Sequence, residues 1–321
     1  MKAGRRFAPG LCAAGFVLAL GGAHAGEPPA AGAATLAATH RALKPQLENN
    51  VFGVPLYVES EDKDGRTRGD VYGVLRYPYA TVRGALRAPE NWCDLVTLHL
   101  NIKACTYAVQ AGAQVMTFYS GRKFYEPPDR AYPIRYVTRG AEPGADYFRM
   151  TFSAADGPLG TRNYLILVEA VPLAADAVFL HFGYAYEYGT LMSLARSGYL
   201  ATLGSGKVGF SIVGKDEAGK PVYAGGVPAV VERNVVRYYL AIQAYLETLG
   251  APEAERFERR LGRWFDLTER YREQLHEMEK EEYLRFKRQE RAEQLQLQRQ
   301  IDQGVPERKP PSGPADQNVP G

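Results

Sequence analysis

A histidine flanked by one cysteine on each side is the group whose residue types and spacing most suggest chemistry. In the stretch WCDLVTLHLNIKAC, Cys93 and Cys105 flank His99. Thiolate and imidazole groups can bind zinc, but a zinc site needs further ligands at suitable spacing. The sequence contains no C-x-x-C, H-x-x-x-H or H-E-x-x-H motif. We therefore expect no metal and no cofactor, and a structural role for the two cysteines.

The N-terminus predicts the compartment in which these cysteines lie. A basic start precedes an apolar run, and Ala23-His24-Ala25 matches an A-x-A cleavage signature. This pattern is typical of a secretory signal peptide, cleaved near Ala25, and predicts a periplasmic or secreted protein. Cys12 lies inside the leader, so two thiols remain in an oxidising compartment. That context favours a disulfide between Cys93 and Cys105.

A disulfide over this short separation requires the chain to turn back. A straight strand would hold the two cysteines about 40 Å apart, whereas bonded cysteines have Cα atoms within about 7 Å. The disulfide therefore predicts a helix from Glu90 to about Leu95, then a bend, and a strand that starts near Ile102. A single strand through both cysteines is the alternative, and it excludes the bond.

Charge and hydropathy exclude two classes of partner. Of the 39 Lys and Arg residues, three lie in the leader, so the remaining basic residues equal the 36 Asp and Glu. Nucleic-acid binding needs a basic surface that this balance does not supply. We also expect no transmembrane segment in the mature chain, because no other apolar run reaches the length of a membrane span.

The middle of the chain predicts an antiparallel sheet. Asp64-Gly65 is a turn signal for an opening hairpin. Residues 103–188 are rich in Tyr, Phe, Val and Thr, and turn signals interrupt them repeatedly. Beyond an opening hairpin, we predict strands at 114–120, 132–139, 146–153, 161–171 and 177–187. A helix near 190–202 and a short strand at 207–213 follow.

Residues 227–249 predict a long amphipathic helix. Nine apolar residues, from Val227 to Leu249, fall within an arc of about 120° on a helical wheel. Charged and polar residues, including Glu232, Arg233 and Arg237, occupy the opposite side. A large apolar surface must therefore cover one face of this helix.

The order of these elements resembles the START-like, or SRPBCC, helix-grip superfamily. The stretches GDVYGVLRYPYATVRGALRAPENW and VERNVVRYYLAIQAYL are similar to its opening strand and helices and to its gripping helix. The resemblance implies an α+β fold in which a curved antiparallel sheet wraps around a long C-terminal helix. It also implies a cavity for a hydrophobic or amphipathic, lipid-like ligand, and an exported bacterial member of the superfamily.

Tyrosines on the predicted strand and helix are the candidate ligand-binding residues. Tyr184, Tyr186 and Tyr188 alternate and so project from one side of a strand. Phenols offer apolar walls with a few hydroxyl groups, which suits an amphipathic ligand. Packing of the same residues in a closed core is the alternative. The full candidate set is Tyr184, Tyr186, Tyr188, Tyr238, Ile242, Tyr245 and His181.

The C-terminal part predicts a charged helical extension. Apolar residues recur at heptad-like spacing from Phe257 to Met278. We favour a helix docked on its own domain, and a dimerising coiled coil is the alternative. The second functional hypothesis is therefore an interaction protein that acts through residues 253–300. A hydrolase or cyclase in the cavity comes third, and there is no G-x-S-x-G motif to support it.

These predictions divide the chain into five parts. They are a signal peptide (1–25), an N-terminal segment with a short helix (26–51), a START-like ligand-binding domain (52–250), a charged amphipathic helical extension (251–303) and a disordered Pro-rich tail (304–321).

Overall fold

The computed structural model describes Met1 and residues 32–139, 146–201 and 206–307. The predicted signal peptide and most of the predicted Pro-rich tail therefore lie outside the described residues. From residue 32 onward, the described residues belong to one compact unit. Within them, no helix is long and apolar enough to cross a membrane.

One antiparallel sheet of eight strands forms the body of the domain. Its spatial order is β1-β2-β8-β7-β6-β5-β4-β3, so β1 and β3 are the two edges. The five strands predicted between residues 114 and 187 are confirmed. The strands are β1 Leu56–Lys63, β2 Arg66–Leu75, β3 Ile102–Gln110, β4 Ala113–Ser120, β5 Tyr132–Arg139, β6 Phe148–Asp156, β7 Arg162–Ala174 and β8 Ala177–Glu187.

Helices cover both faces and one edge of this sheet. They are α1 Ala33–Glu48, α2 Tyr79–Leu86, α3 Pro89–Val96, α4 Thr190–Ala201, α5 Gly226–Glu247, α6 Glu253–Glu269, α7 Arg272–Leu275 and α8 Lys280–Asp302. A hairpin of β9 Ile212–Lys215 and β10 Pro221–Tyr223 is separate from the main sheet. The strand predicted at 207–213 starts later, because Glu232 accepts hydrogen bonds from the backbone N–H groups of Phe210 and Ser211.

The long helix α5 lies directly against the sheet. Two glycines of β2 permit this contact: a Cβ on Gly69 would lie 3.1 Å from Val231, and one on Gly73 would overlap the ring of Tyr239. The apolar face of α5 thus packs on β1, β2 and β8. The predicted pairing of a long apolar helix face with a sheet is confirmed.

The polar face of α5 is buried as well, which its sequence pattern did not indicate. Glu232, Arg233 and Arg237 are almost fully buried. The extension covers part of this side: α6 packs along α5, and Trp264 donates a hydrogen bond to the backbone oxygen of Arg237. The helix is therefore enclosed by the sheet on one side and by the extension on the other.

The predicted disulfide between Cys93 and Cys105 is confirmed. The Cα atoms of the two cysteines lie 4.9 Å apart. Cys93 is on α3, which ends at Val96, and Cys105 is on β3, which begins at Ile102. The chain turns back between these elements, as the disulfide requires.

The extension docks on its own domain and covers the sheet edge at β3. Gln294 of α8 accepts a hydrogen bond from the backbone N–H of Cys105, and Gln298 both accepts from and donates to the backbone of Tyr107. These two amides provide the partners that a neighbouring strand would otherwise offer. Covering an exposed edge prevents it from pairing with another chain.

The helix α1 covers the opposite face of the sheet. Leu36 and Leu47 of α1 pack with Tyr72, Val171 and Phe179 of the strands. The helix runs through Pro45. Pro45 lies in the last turn of α1, so the missing N–H of its ring removes only one helical hydrogen bond near the end.

Candidate ligand cavity between the sheet and the long helix

A cavity of about 90 Å³ lies between α5 and the inner face of the sheet. Its wall combines apolar side chains with phenol, amide, hydroxyl and imidazole groups. Strands β3, β4, β5, β7 and β8 contribute, as do α5 and the α3–β3 connection. The lining residues are His99, Asn101, Ile102, Phe118, Ser120, Ile134, Tyr136, Pro158, Tyr164, Tyr184, Tyr186, Met192, Val230, Asn234 and Tyr238.

The cavity occupies only one half of the interface between α5 and the sheet. Val230, Asn234 and Tyr238 lie on successive turns in the first part of α5 and line it. Farther along α5, Ile242 is fully buried in the main apolar core, and Tyr245 packs beneath the guanidinium of Arg260. The second part of the helix is therefore packed, and the space lies under the first part.

His99 is held rigidly in the cavity wall. Its ring stacks on Tyr238 with centroids 4.7 Å apart, and its Nδ1 accepts a hydrogen bond from the backbone N–H of Asn101 over 3.1 Å. Its Nε2 has no hydrogen-bond partner among the described residues. His99 is only 2% exposed.

Burial and nearby cations keep this imidazole neutral. Burial lowers the pKa of His99 well below its usual value, and Arg237, Lys287, Lys123 and Lys103 lower it further. A neutral imidazole has one N–H, and Nδ1 is already an acceptor. The proton is therefore on Nε2, which makes this atom a buried donor.

The extension fixes the loop that carries His99. Two residues of α8 donate hydrogen bonds to this loop. Tyr283 donates to the backbone oxygen of Leu98, and Lys287 donates to the backbone oxygens of His99 and Ile102. Lys103 donates to the backbone oxygen of Leu100. The carbonyl groups of this loop are thus bound by side chains, which hold the loop against the extension.

The tyrosines of the wall are neutral phenols. Burial raises the pKa of Tyr136, Tyr184 and Tyr238. Tyr164 donates a hydrogen bond to the hydroxyl of Thr161 over 2.7 Å, which orients it near the start of β7. The wall therefore offers uncharged hydroxyl groups within an otherwise aromatic surface.

The structure brings together three of the seven residues predicted for ligand binding. Tyr184, Tyr186 and Tyr238 line the cavity. Ile242 and Tyr245 lie in the packed half of the interface, as described above. The ring of Tyr188 lies 6.5 Å from that of Tyr186 but does not reach the cavity wall.

His181, predicted with the ligand-binding residues, lies on the opposite face of the sheet. Successive residues of β8 point to opposite faces, so the side chains of His181 and Tyr184 lie on different sides of the sheet. The ring of Tyr72 stacks on that of His181 with centroids 4.2 Å apart. Its Nε2 lies 2.7 Å from Asp70 and its Nδ1 lies 2.8 Å from Glu169. It therefore belongs to a buried ion network and not to the cavity.

We call the buried ion pairs of His181, Asp70, Glu169 and Arg68 the outer ion network. Its hydrogen bonds shift the pKa values of two of its members. Burial opposes the charge of His181, but hydrogen bonds with Asp70 and Glu169 outweigh it and raise the pKa of His181. Burial likewise opposes the charge of Asp70, but hydrogen bonds from His181 and Arg68 lower the pKa of that carboxyl. The network is thus a set of paired charges that joins β2, β7 and β8.

Sequence reasoning missed His99 as a cavity residue. The expected disulfide contained a signal that could have located it, because a chain that turns back between Cys93 and Cys105 places His99 at the turn. No sequence pattern could have located the other unexpected wall residues. They come together only because of the order of the strands in the sheet, which the sequence does not indicate. They include Asn101, Ser120, Tyr136, Tyr164 and Asn234.

The cavity is suited to binding. His99 Nε2–H can donate to an acceptor, and Ile102, Phe118 and Ile134 offer apolar surface close by. Among the residues that the structure describes, no group of three or more His, Cys, Asp or Glu side chains could hold a metal ion.

Comparison with known proteins gives structural likenesses at low identity. No family model matches the sequence, and no curated protein matches it. Human StAR-related lipid transfer protein 5 is similar over 67% of this chain and 97% of its own, with 10% identity and a TM-score of 0.32. A conserved protein of unknown function from Enterococcus faecalis is similar over 65% of this chain and 89% of its own, with 6% identity and a TM-score of 0.33.

The fold itself follows from the described topology. Two short helices separate β2 from β3, the strands follow in an antiparallel order, and the long helix α5 returns to lie against their inner face. These are the features that the sequence resemblance implied. The domain therefore has a helix-grip architecture, an antiparallel sheet with a long helix against one face.

Proposed function

We propose that this domain binds a small amphipathic molecule, or the polar end of a larger one, in the cavity beneath α5. The observation that supports this most is the unpartnered Nε2–H of the buried His99. A buried donor without a partner costs about 1–3 kcal/mol. An occupant that accepts this hydrogen bond recovers that free energy.

The size of the cavity limits the occupant. The cavity volume is about 90 Å³. Pockets for drug-sized ligands are larger, about 300–1,000 Å³. A complete lipid therefore requires α5 and the sheet to move apart, whereas a head group or a short chain fits without such a change.

We also propose that the protein is exported, as its N-terminal sequence indicates. The disulfide between Cys93 and Cys105 supports this, because such bonds persist in oxidising compartments. The competing hypothesis of an interaction surface at residues 253–300 has less support. Leu261, Trp264 and Leu275 of its apolar stripe are buried against the chain's own core.

Straight-chain alcohols of increasing length test the binding proposal. Methyl NMR spectra of the full chain are recorded with 1-butanol, 1-hexanol and 1-octanol. We expect shifts at Ile102 and Ile134 in the cavity wall, and none at Ile242 in the packed half of the interface. Equal shifts at all three isoleucines, or no shift at the two cavity isoleucines, would contradict the proposal.

A further inference from the structure

The described residues that line the cavity carry no formal charge. None of them is Asp, Glu, Lys or Arg. The imidazole of His99 is neutral on the pattern of its hydrogen bonds alone, because Nδ1 accepts from the backbone N–H of Asn101 and so holds no proton. An ion in the cavity would have no side chain of opposite charge beside it, and burial of an unpaired charge is costly. The wall therefore favours an uncharged occupant.

Charged side chains near the cavity have partners of their own. Lys287, which binds the backbone oxygen of His99, forms an ion pair with Glu290 over 2.7 Å. Arg237 forms one with Glu277, also over 2.7 Å. None of these four charged side chains lines the cavity. They stabilise the loop and the helix around the cavity and are not placed to pair with an ion inside it.

Three phenol groups of the wall have no hydrogen-bond partner among the residues that the structure describes. They are those of Tyr136, Tyr184 and Tyr238. Tyr136 is 2% exposed and Tyr238 is 7% exposed, so bulk solvent does not satisfy their hydroxyl groups. The hydroxyl of Ser120 and the amide of Asn234 also line the cavity without a partner in the described part of the chain. The wall thus presents several neutral hydrogen-bonding groups in addition to the imidazole.

One oxygen atom of an occupant cannot satisfy all of these groups, because a hydroxyl group donates one hydrogen bond and accepts at most two. The rings of Tyr136 and Tyr184 both lie near that of Tyr164, at centroid distances of 6.3 and 6.1 Å. The ring of Tyr238 stacks on His99 instead. An occupant that replaces water without reproducing its hydrogen bonds loses affinity. A second oxygen group on the occupant therefore strengthens binding.

We infer that the occupant is an uncharged amphipathic molecule whose polar end carries two neighbouring hydroxyl groups, an alkyl 1,2-diol like the free end of a monoacylglycerol. One oxygen accepts the hydrogen bond of His99 Nε2–H, and the other bonds to the phenol groups of Tyr136 and Tyr184. The hydrocarbon part lies against Ile102 and Phe118. This inference rests on the proposed function and specifies the chemical class of its ligand.

Four probes with four carbon atoms each separate charge from the number of hydrogen bonds. 1,2-Butanediol carries two hydroxyl groups and 1-butanol carries one, whereas butyrate is an anion and butylammonium is a cation. Their affinities for the full chain are measured by methyl NMR at Ile102 and Ile134. We expect 1,2-butanediol to bind about threefold more tightly than 1-butanol, or better, because its second hydroxyl group forms further hydrogen bonds. Neither ion should shift these methyl groups.

Replacing two of the phenol groups locates the effect. The double variant Tyr136→Phe with Tyr184→Phe keeps both rings and removes both hydroxyl groups. Its ratio of affinities for 1,2-butanediol and 1-butanol should therefore fall to about one or below. Tyr223→Phe, on the β9–β10 hairpin, is the matched control, because it removes a phenol hydroxyl that does not line the cavity. It should keep the ratio of the unmodified chain.

The outcomes distinguish this inference from the proposed function. If 1-butanol, butyrate or butylammonium binds the unmodified chain as tightly as 1,2-butanediol, the diol inference is overturned and the proposed function stands. A double variant that folds and keeps the ratio of Tyr223→Phe would also overturn it. If neither the diol nor any alcohol shifts the cavity methyl groups, both proposals fail.

Discussion

The backbone N–H of Asn101 donates a hydrogen bond to Nδ1 of His99 over 3.1 Å, and this bond fixes the proton of the neutral ring on Nε2. Both residues belong to the connection that follows α3 and line the cavity. The extension fixes the same connection through Lys287 and Tyr283. The C-terminal helices are thus part of the structure that positions the cavity wall.

The disulfide should stabilise the domain measurably. Replacing both cysteines, as Cys93→Ala with Cys105→Ala, should lower the free energy of unfolding by about 3 kcal/mol, because the open chain gains conformational entropy when unfolded. Urea unfolding of the two proteins measures the difference. Thiol labelling of the unreduced, denatured protein should modify neither Cys93 nor Cys105, and labelling of both would contradict the bond.

The amide of Gln294 should protect the edge strand β3. Gln294→Ala leaves the backbone N–H of Cys105 without its partner, which should cost about 1–3 kcal/mol. Hydrogen exchange at Cys105 should accelerate in this variant. The control is Gln296→Ala on the exposed side of α8, and equal exchange rates in the two variants would show that Gln294 does not cap the strand.

Removing the extension should destabilise the whole domain. A chain that ends at Gly250 loses the buried side chains of Leu261, Trp264 and Tyr283 and exposes the edge at β3. Loss of a single large core side chain costs about 3–5 kcal/mol, so we expect this truncated chain to aggregate or unfold. The control lacks only residues 308–321 and should keep the melting temperature of the full chain. A truncated chain that stays monomeric with unchanged stability would contradict the account.

The outer ion network should make stability depend on pH. Because the pKa of His181 is raised above 6.5 in the folded state, its contribution is fully present below about pH 6.5 and is lost as pH rises through the folded pKa. His181→Gln removes the partner of Asp70 and Glu169, and breaking such a buried set costs about 3–5 kcal/mol.

Urea unfolding at pH 6 and pH 9 measures this dependence. The stability difference between the unmodified chain and His181→Gln should be larger at pH 6 than at pH 9. His276→Gln, which removes a partly exposed histidine of the extension, is the control. A difference that is constant with pH, or larger at pH 9, would show that His181 is not charged in the network.

Local patterns predicted the elements of this fold well. Alternation and turn residues located the strands, and the apolar arc located α5, because both signals arise from short-range periodicity. The bend between Cys93 and Cys105 also followed from the sequence, since a disulfide limits the distance that the chain can span. These features require no knowledge of distant contacts.

Long-range contacts could not be predicted in the same way. The burial of Arg237 depends on α6 and α7, and the covering of β3 depends on Gln294, which reads as a solvent-exposed residue in its own helix. His181 and Tyr184 lie on opposite faces of β8, but only the covering elements decide which face borders a cavity. Residues of the extension such as Lys287 therefore hold a loop of the cavity wall, although their sequence pattern resembles that of a solvated helix.

A crystal structure of the full chain grown with 1-butanol tests the central claim most directly. We expect density for one 1-butanol molecule in the cavity beneath α5, with its hydroxyl oxygen about 2.7–3.2 Å from Nε2 of His99. A cavity closed by its own side chains, or 1-butanol bound elsewhere with Nε2 bonded to a protein group, would contradict the account.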